Sequence, residues 1–256
     1  MTLRLALAVL VALAARPAVA QPLGEESYVS PQNFAAEVKF GPYTPNIDGE
    51  FATSPGPYAR YFGNDSGLMM QYTFEYQFLR RFGALGAGLG LGYWSKSGKA
   101  FACKSGSGLS CVPDFTKTTG DDTSLQILPL SLFLVYRFDW PAEQFRFPLV
   151  PYGKFGLTYT FWWADKGNGK VSDVILASGA TEHGRGAQLG LTAALGAALM
   201  LDIFDPGAGH ELDSTLGINH TYLFWEWVWS GADGLGSNTA LHVGASSWLA
   251  GLAFEF

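Results

Sequence analysis

The 256-residue chain is 48% hydrophobic and 15% aromatic but only 15% charged, with 32 glycines and a formal net charge of −6. A charged fraction well below the roughly 25% of ordinary soluble domains argues against a cytosolic enzyme, the aromatic content argues against disorder, and the acidic balance argues against a nucleic-acid partner. After the first twenty residues no apolar run reaches the ~18 residues that a spanning helix needs, so a membrane location requires strands.

Residues 1–20 carry Arg4, an apolar stretch from Leu5 to Ala15, and Ala18-Val19-Ala20 before Gln21. This is the pattern of a cleaved export signal. Residues 21–33 form a polar lead-in, and 34–256 show no internal domain boundary.

Eight segments alternate with period two, as a strand does when one face meets lipid and the other a barrel interior. Segment 34–43 sets Phe34, Ala36, Val38 and Phe40 against Glu37 and Lys39; segment 68–79 sets Met70 to Phe78 against Gln71, Thr73, Glu75 and Gln77. Segment 84–94 opposes Leu85, Ala87, Leu89, Leu91 and Tyr93 to glycines 86, 88, 90 and 92, which are expected to face the lumen and make room for bulky neighbours. Segment 125–138 sends Leu128 to Phe138 outward and Phe133 and Arg137 inward, and segment 150–163 sends Phe155 to Trp163 outward and Lys154, Thr158 and Thr160 inward.

The alternation is clearest over 186–203, where the odd positions are all apolar and the even ones include Gly190, Thr192 and Asp202. Segment 217–229 is ambiguous, and odd positions are placed outward because that keeps Glu226 off the lipid. Segment 240–256 carries Trp248, Ala250, Leu252, Phe254 and Phe256 on one face and Glu255 on the other. The predicted fold is all-β: a transmembrane, antiparallel, up-and-down barrel of eight strands. With a periplasmic N-terminus the external loops are 44–67, 95–124, 164–185 and 230–239.

This parity puts Glu37, Lys39, Glu75, Arg137, Lys154, Asp202 and Glu255 in the lumen, toward the periplasmic half. Two readings stay open: a salt-bridged plug, since eight strands leave room only for side chains, or a functional lumen, as a narrow or gated pore or a proton-linked step. Cys103 and Cys111, the only cysteines, are spaced for a loop-closing disulfide in an exported protein. Aromatics form two girdles, with Tyr43 assigned to the external one beside Tyr93, Tyr159, Phe161, Trp163, Trp227 and Trp229. The four histidines are dispersed, with His210 in a periplasmic turn and His242 on a strand. No metal site, cofactor motif or catalytic constellation is expected.

The leader, the eight segments and the terminal Trp248-Leu249-Ala250-Gly251-Leu252-Ala253-Phe254-Glu255-Phe256 together resemble the small outer-membrane β-barrel superfamily of Gram-negative bacteria. Pro148-Leu149-Val150-Pro151-Tyr152-Gly153-Lys154 and Tyr136-Arg137-Phe138-Asp139 resemble a narrower myxobacterial group of such barrels. The resemblance implies residence in the outer membrane as a monomer in contact with its lipid. It also implies that Leu252, Phe254 and Phe256 form the signal read by the barrel-assembly machinery. It implies no defined activity. The expectation is a structural or surface-interaction barrel with a filled lumen; the alternatives are a small channel or hydrophobic-solute conduit and, behind that, a lipid-modifying enzyme.

Overall fold

The structure is a computed structural model that describes residues 32–105, 112–166, 170–175, 181–237 and 240–256. The expected export signal, most of the lead-in and Cys111 lie outside the described residues. Ten strands occur among them: β1 (Phe34–Tyr43), β2 (Gly67–Arg80), β3 (Ala84–Ser105), β4 (Val112–Arg137), β5 (Leu149–Lys166), β6 (Asp173–Ile175), β7 (Thr181–His183), β8 (Arg185–Met200), β9 (His220–Gly231) and β10 (Ala245–Glu255). Eight close a ring in the order β1-β2-β3-β4-β5-β8-β9-β10, every pairing antiparallel, while β6 and β7 form a separate small hairpin.

The ring closes where β1 meets β10, with Ala35 opposite Glu255 and Phe40 opposite Ala250. Phe256 extends this seam: its amide donates to the Phe34 carbonyl at 2.9 Å, and its carbonyl accepts from the Phe34 amide at 2.8 Å. Its ring stacks 6.2 Å from that of Phe34.

Burial is inverted relative to a soluble protein. Phe40, Leu132 and Leu195 are 52%, 58% and 62% exposed, whereas Glu75 and Glu226 are fully buried. The outward positions of all eight strands form one apolar exterior, far beyond the few hundred Å² that a soluble monomer exposes. Such a surface is stable only in lipid, and a closed barrel leaves no unpaired strand edge to desolvate there. No described helix is long and apolar enough to cross a membrane.

Parity follows the sequence pattern along every strand, including β9, where Tyr222, Phe224 and Glu226 point in and Leu223, Trp225, Trp227 and Trp229 point out. The glycine row of β3 lines the lumen for want of space. A Cβ at Gly88 would sit 2.7 Å from the Phe133 ring and 2.8 Å from Glu75 Cγ. Gly83, in the turn between β2 and β3, has φ +146, and a Cβ there would collide with the Arg137 carbonyl.

The boundaries differ from the sequence pattern in four places. Strands β3 and β4 run on beyond Trp94 and before Leu125, paired from Ser95↔Gln126 to Lys99↔Asp122, so much of the expected 95–124 loop is a projecting hairpin. Its Ser, Thr, Lys and Asp residues carry no apolar alternation because neither face meets lipid or a packed lumen. Residues 201–203 continue the apolar alternation of the sixth segment but form a turn, not strand. Helix α3 follows at Pro206–Leu216, after α1 (Pro57–Phe62) and α2 (Trp140–Phe145) in earlier connections. Asp205 caps α3 by accepting from the Ala208 amide at 3.1 Å, and Gly217 ends it at φ 69, so β9 starts at His220 and His210 is helical.

The fourth difference lies at the external mouth. The eighth segment is expected from 240, yet β10 starts at Ala245, because 241–244 turn into the barrel and bury Val243. His242 is therefore in a loop, 3.8 Å from Glu50. Tyr43 belongs to the same inward layer. Its odd position on β1 turns it away from the lipid girdle, and its hydroxyl donates to the Val243 carbonyl.

Candidate functional site

The lumen is organised in layers. At the periplasmic rim Arg80 lies 3.2 Å from Asp139, and His220 Nδ1 lies 2.9 Å from Asp202 Oδ2. Asp202 also accepts from the Thr221 amide at 3.2 Å. It thus fastens the turn after β8 to the start of β9 and stands outside the central charge cluster in which the sequence placed it. The apolar alternation runs on through the turn, and that carries Asp202 inward on paper.

Above the rim Glu37, Lys39, Glu75, Arg137, Lys154 and Glu255 come together, joined by Glu226. Arg137 donates to Glu37 at 2.7 Å and, through both terminal nitrogens, to Glu75, one of these at 2.8 Å; it lies 3.9 Å from Glu255. Lys154 reaches Glu37 at 2.5 Å and Glu226 at 3.3 Å, and Lys39 reaches Glu226 at 2.5 Å. Around the Lys154 ammonium, Tyr152, Phe133 and Phe224 present ring faces at 5.1, 5.5 and 5.8 Å.

Four carboxylates (Glu37, Glu75, Glu226, Glu255) face three cations (Lys39, Arg137, Lys154). Neutral donors make up the difference, and they converge on Glu255, which the Arg137 guanidinium reaches only at 3.9 Å. Gln77, Gln32 and Tyr222 donate to it at 2.7, 2.8 and 2.9 Å. Tyr152 likewise donates to Glu226 at 2.9 Å and Thr73 to Glu37 at 2.8 Å. Buried charge costs several kcal/mol per ion unless its remaining lone pairs and protons are satisfied, and this shell of hydroxyls and amides does so.

Above the ions is a chamber of about 60 Å³, lined by Gln71, Thr73, Ser131 and Thr158 together with Lys39, Lys154 and Glu226. An apolar layer then closes the barrel. Met69, Trp94, Leu125, Ile127 and Leu249 from the wall pack with Ile47, Tyr58, Ala232 and Val243 from the external connections. Asp48 holds α1 in this layer by accepting from the Tyr58 and Ala59 amides at 2.6 and 2.9 Å, and the Asn46 amide donates to the Gly244 carbonyl at 2.9 Å. The lumen is therefore filled at two levels, by ions below and by a hydrophobic plug above.

Glu226, Tyr152 and Tyr222 are not in the charge cluster named from the sequence, although the parity chosen for 217–229 already turns Glu226 and Tyr222 inward. For Glu226 the signal is present, since its even position puts it off the lipid, but the Trp- and Phe-rich β9 reads as apolar on both faces. The two tyrosines are inward residues on strands whose polarity is carried by other positions. Leu252 faces outward and Phe256 extends the seam between β1 and β10. Cys103 lies on β3 opposite Pro113, and its expected partner Cys111 falls outside the described residues. Among the described residues no group of three or more His, Cys, Asp or Glu is arranged to hold a metal.

No protein-family model and no curated protein matches the chain. It is similar in structure to several bacterial outer-membrane proteins. Neisserial surface protein A is 14% identical, over 88% of this chain and 95% of its own, with a TM-score of 0.40. OprG from Pseudomonas aeruginosa is 16% identical, over 91% and 99%, at 0.46, and a major outer membrane protein from Thermus thermophilus is 15% identical, over 88% and 100%, at 0.37. No lumen residue is carried over from those proteins to this chain.

Proposed function

We propose that the protein is an integral outer-membrane barrel with a structural or surface-interaction role, and that its lumen is not a channel. The observation that carries this reading is the double closure. An ion-paired layer fills the periplasmic half, a hydrophobic plug fills the mouth, and a chamber of about 60 Å³ lies between them. An apolar exterior on a closed antiparallel barrel is the form that outer-membrane proteins take, and the expected export signal and aromatic C-terminus agree with that location. In this reading Leu252, Phe254 and Phe256 address the chain to the barrel-assembly machinery, the barrel is monomeric, and it belongs with the myxobacterial group that its Pro148–Lys154 segment resembles.

Whatever specificity the protein has resides in its external parts, chiefly the projecting β3–β4 hairpin, which a Cys103–Cys111 disulfide would stiffen. The reading assigns no catalytic role. Planar-bilayer recording of the refolded protein tests the proposal. A silent bilayer is expected, and steady, reproducible channels would favour the channel reading instead.

A further inference from the structure

One cleft of about 1130 Å³ opens beside the plug and shares Tyr58 and Ala232 with it. It lies where the β8–β9 pairing ends. Strand β8 pairs with β5 up to Trp163↔Arg185, but its pairing with β9 stops at Leu191↔Gly231. Beyond that point the chain turns into the mouth, burying Ala232, and the Gly231 carbonyl crosses so close to Gly190 that a Cβ there would collide with it. The upper edge of β8 is thus left without β9 beside it, and the cleft lies just below, at Leu191, Thr192 and Ala193, the last residues that pair with β9.

The cleft joins two environments. On the lipid side it is lined by Phe155, Leu191 and Trp229, with Ala193 between Phe155 and Trp229 in the strand register. On the mouth side it is lined by Asn46, Tyr58 and His242. Tyr58 is only 4% exposed, and its hydroxyl has no hydrogen-bond partner. A buried hydroxyl without a partner has lost its water and gained nothing in return, so the site favours a ligand that brings an acceptor. Asp48 and Asp233 also line the cleft and place negative charge beside any head group held there. An anionic head is disfavoured on that ground.

We propose that this cleft binds a neutral single-chain amphiphile from the outer leaflet, of the long-chain ester or amide class. Its chain lies over Ala193 between Phe155 and Trp229, and its polar head accepts a hydrogen bond from Tyr58. At about 1130 Å³ the cleft is somewhat larger than most small-molecule sites, about 300–1,000 Å³, with an apolar wall on the lipid side and polar groups on the mouth side. The proposal rests on the barrel spanning a membrane and names a ligand class for its outer surface.

Native mass spectrometry of the full-length refolded protein, titrated in detergent with 1-monooleoylglycerol and separately with oleate, tests this. The expected result is a saturable one-to-one adduct with monooleoylglycerol and at least tenfold weaker binding of oleate. Ala193→Trp fills the lipid-side groove from an outward position and should weaken the adduct tenfold or more. Tyr58→Phe removes only the donor and should weaken it about fivefold, the equivalent of one ordinary hydrogen bond. Absence of a saturable adduct, equal binding of oleate, or wild-type affinity in Tyr58→Phe would overturn the proposal. Heat-modifiable gel migration of each sample reads the barrel independently, so failure to bind with that shift intact counts against the site, and loss of the shift in the parent counts against the barrel.

Discussion

Replacing Arg137 by Met removes the cation on which the lower lumen converges while keeping a long side chain to fill its space. Arg137 is 3% exposed and contacts Glu37 at 2.7 Å and Glu75 at 2.8 Å, with Glu255 at 3.9 Å. Without it the four carboxylates face only Lys39 and Lys154, and Glu75 keeps only Lys154, at 3.8 Å. Breaking a buried ion pair from one side costs about 3–5 kcal/mol, because the charge left behind has lost both water and partner. At urea slopes of about 1–3 kcal/mol/M this lowers the unfolding midpoint by roughly 1 M or more. The assay is urea unfolding of the refolded barrel in bilayers, followed by tryptophan fluorescence. Adding Glu75→Gln to Arg137→Met should restore part of the loss, with a coupling energy of about 0.5–3 kcal/mol. A single variant within about 1 kcal/mol of the parent, or a double variant no more stable than the single, would refute the idea that these ions act as one network.

Three further outcomes are expected. Gly88→Val forces a side chain into the 2.7–2.8 Å gaps beside Phe133 and Glu75 and should cost about 1–3 kcal/mol, with part recovered by a second Phe133→Ala change; equal urea midpoints for parent and Gly88→Val would count against a filled lumen. Burial and the neighbouring Asp48 carboxylate push the Tyr58 hydroxyl up from 10.0 to about 12. The unfolded chain therefore gives up this proton first as pH rises past 10, so the contribution of neutral Tyr58 is present below pH 10 and is lost toward pH 12; Tyr58→Phe should flatten the alkaline fall in urea midpoint, and an unchanged slope would contradict this. Deleting Phe256 should lower the amount of barrel in the outer membrane more than the refolding yield in vitro, since pairing from Ala35↔Glu255 to Phe40↔Ala250 still closes the ring; equal surface levels would remove its role in assembly.

The barrel was legible because two solvents act on alternate residues. Lipid outside and a crowded interior sort Met70, Tyr72 and Phe74 from Gln71, Thr73 and Glu75, and a period of two survives any detail of packing. The lumen charges followed from the same parity, and so did the glycine row opposite Phe133. Legibility failed where that contrast ends. The β3–β4 projection has no apolar face, so 95–124 looked like loop although most of its described part is paired. At Leu201 and Ile203 the alternation outlasts the strand and misplaced Asp202. The mouth was misread for another reason. Tyr43, Val243 and Ala232 are buried by chain segments far apart in sequence that meet only once the ring has closed, and the Tyr43 parity, inward beside Lys39, was outweighed by the habit of tyrosine at interfaces. The cleft beside β8 left no local trace, because it forms where the end of the β8–β9 pairing meets external connections far away in sequence.

The ion layer and the plug stand between this chamber and the two sides of the membrane, and one side chain reports on it directly. Ser131 lines that chamber, its hydroxyl 3.4 Å from that of Thr158. With Cys103 and Cys111 replaced by serine, Ser131→Cys can be treated with a charged methanethiosulfonate from each face of a reconstituted bilayer. The account predicts no modification from either face while the barrel is folded and complete modification after unfolding in urea. Modification of the folded barrel from either face, at the rate of an exposed cysteine, would contradict a closed lumen.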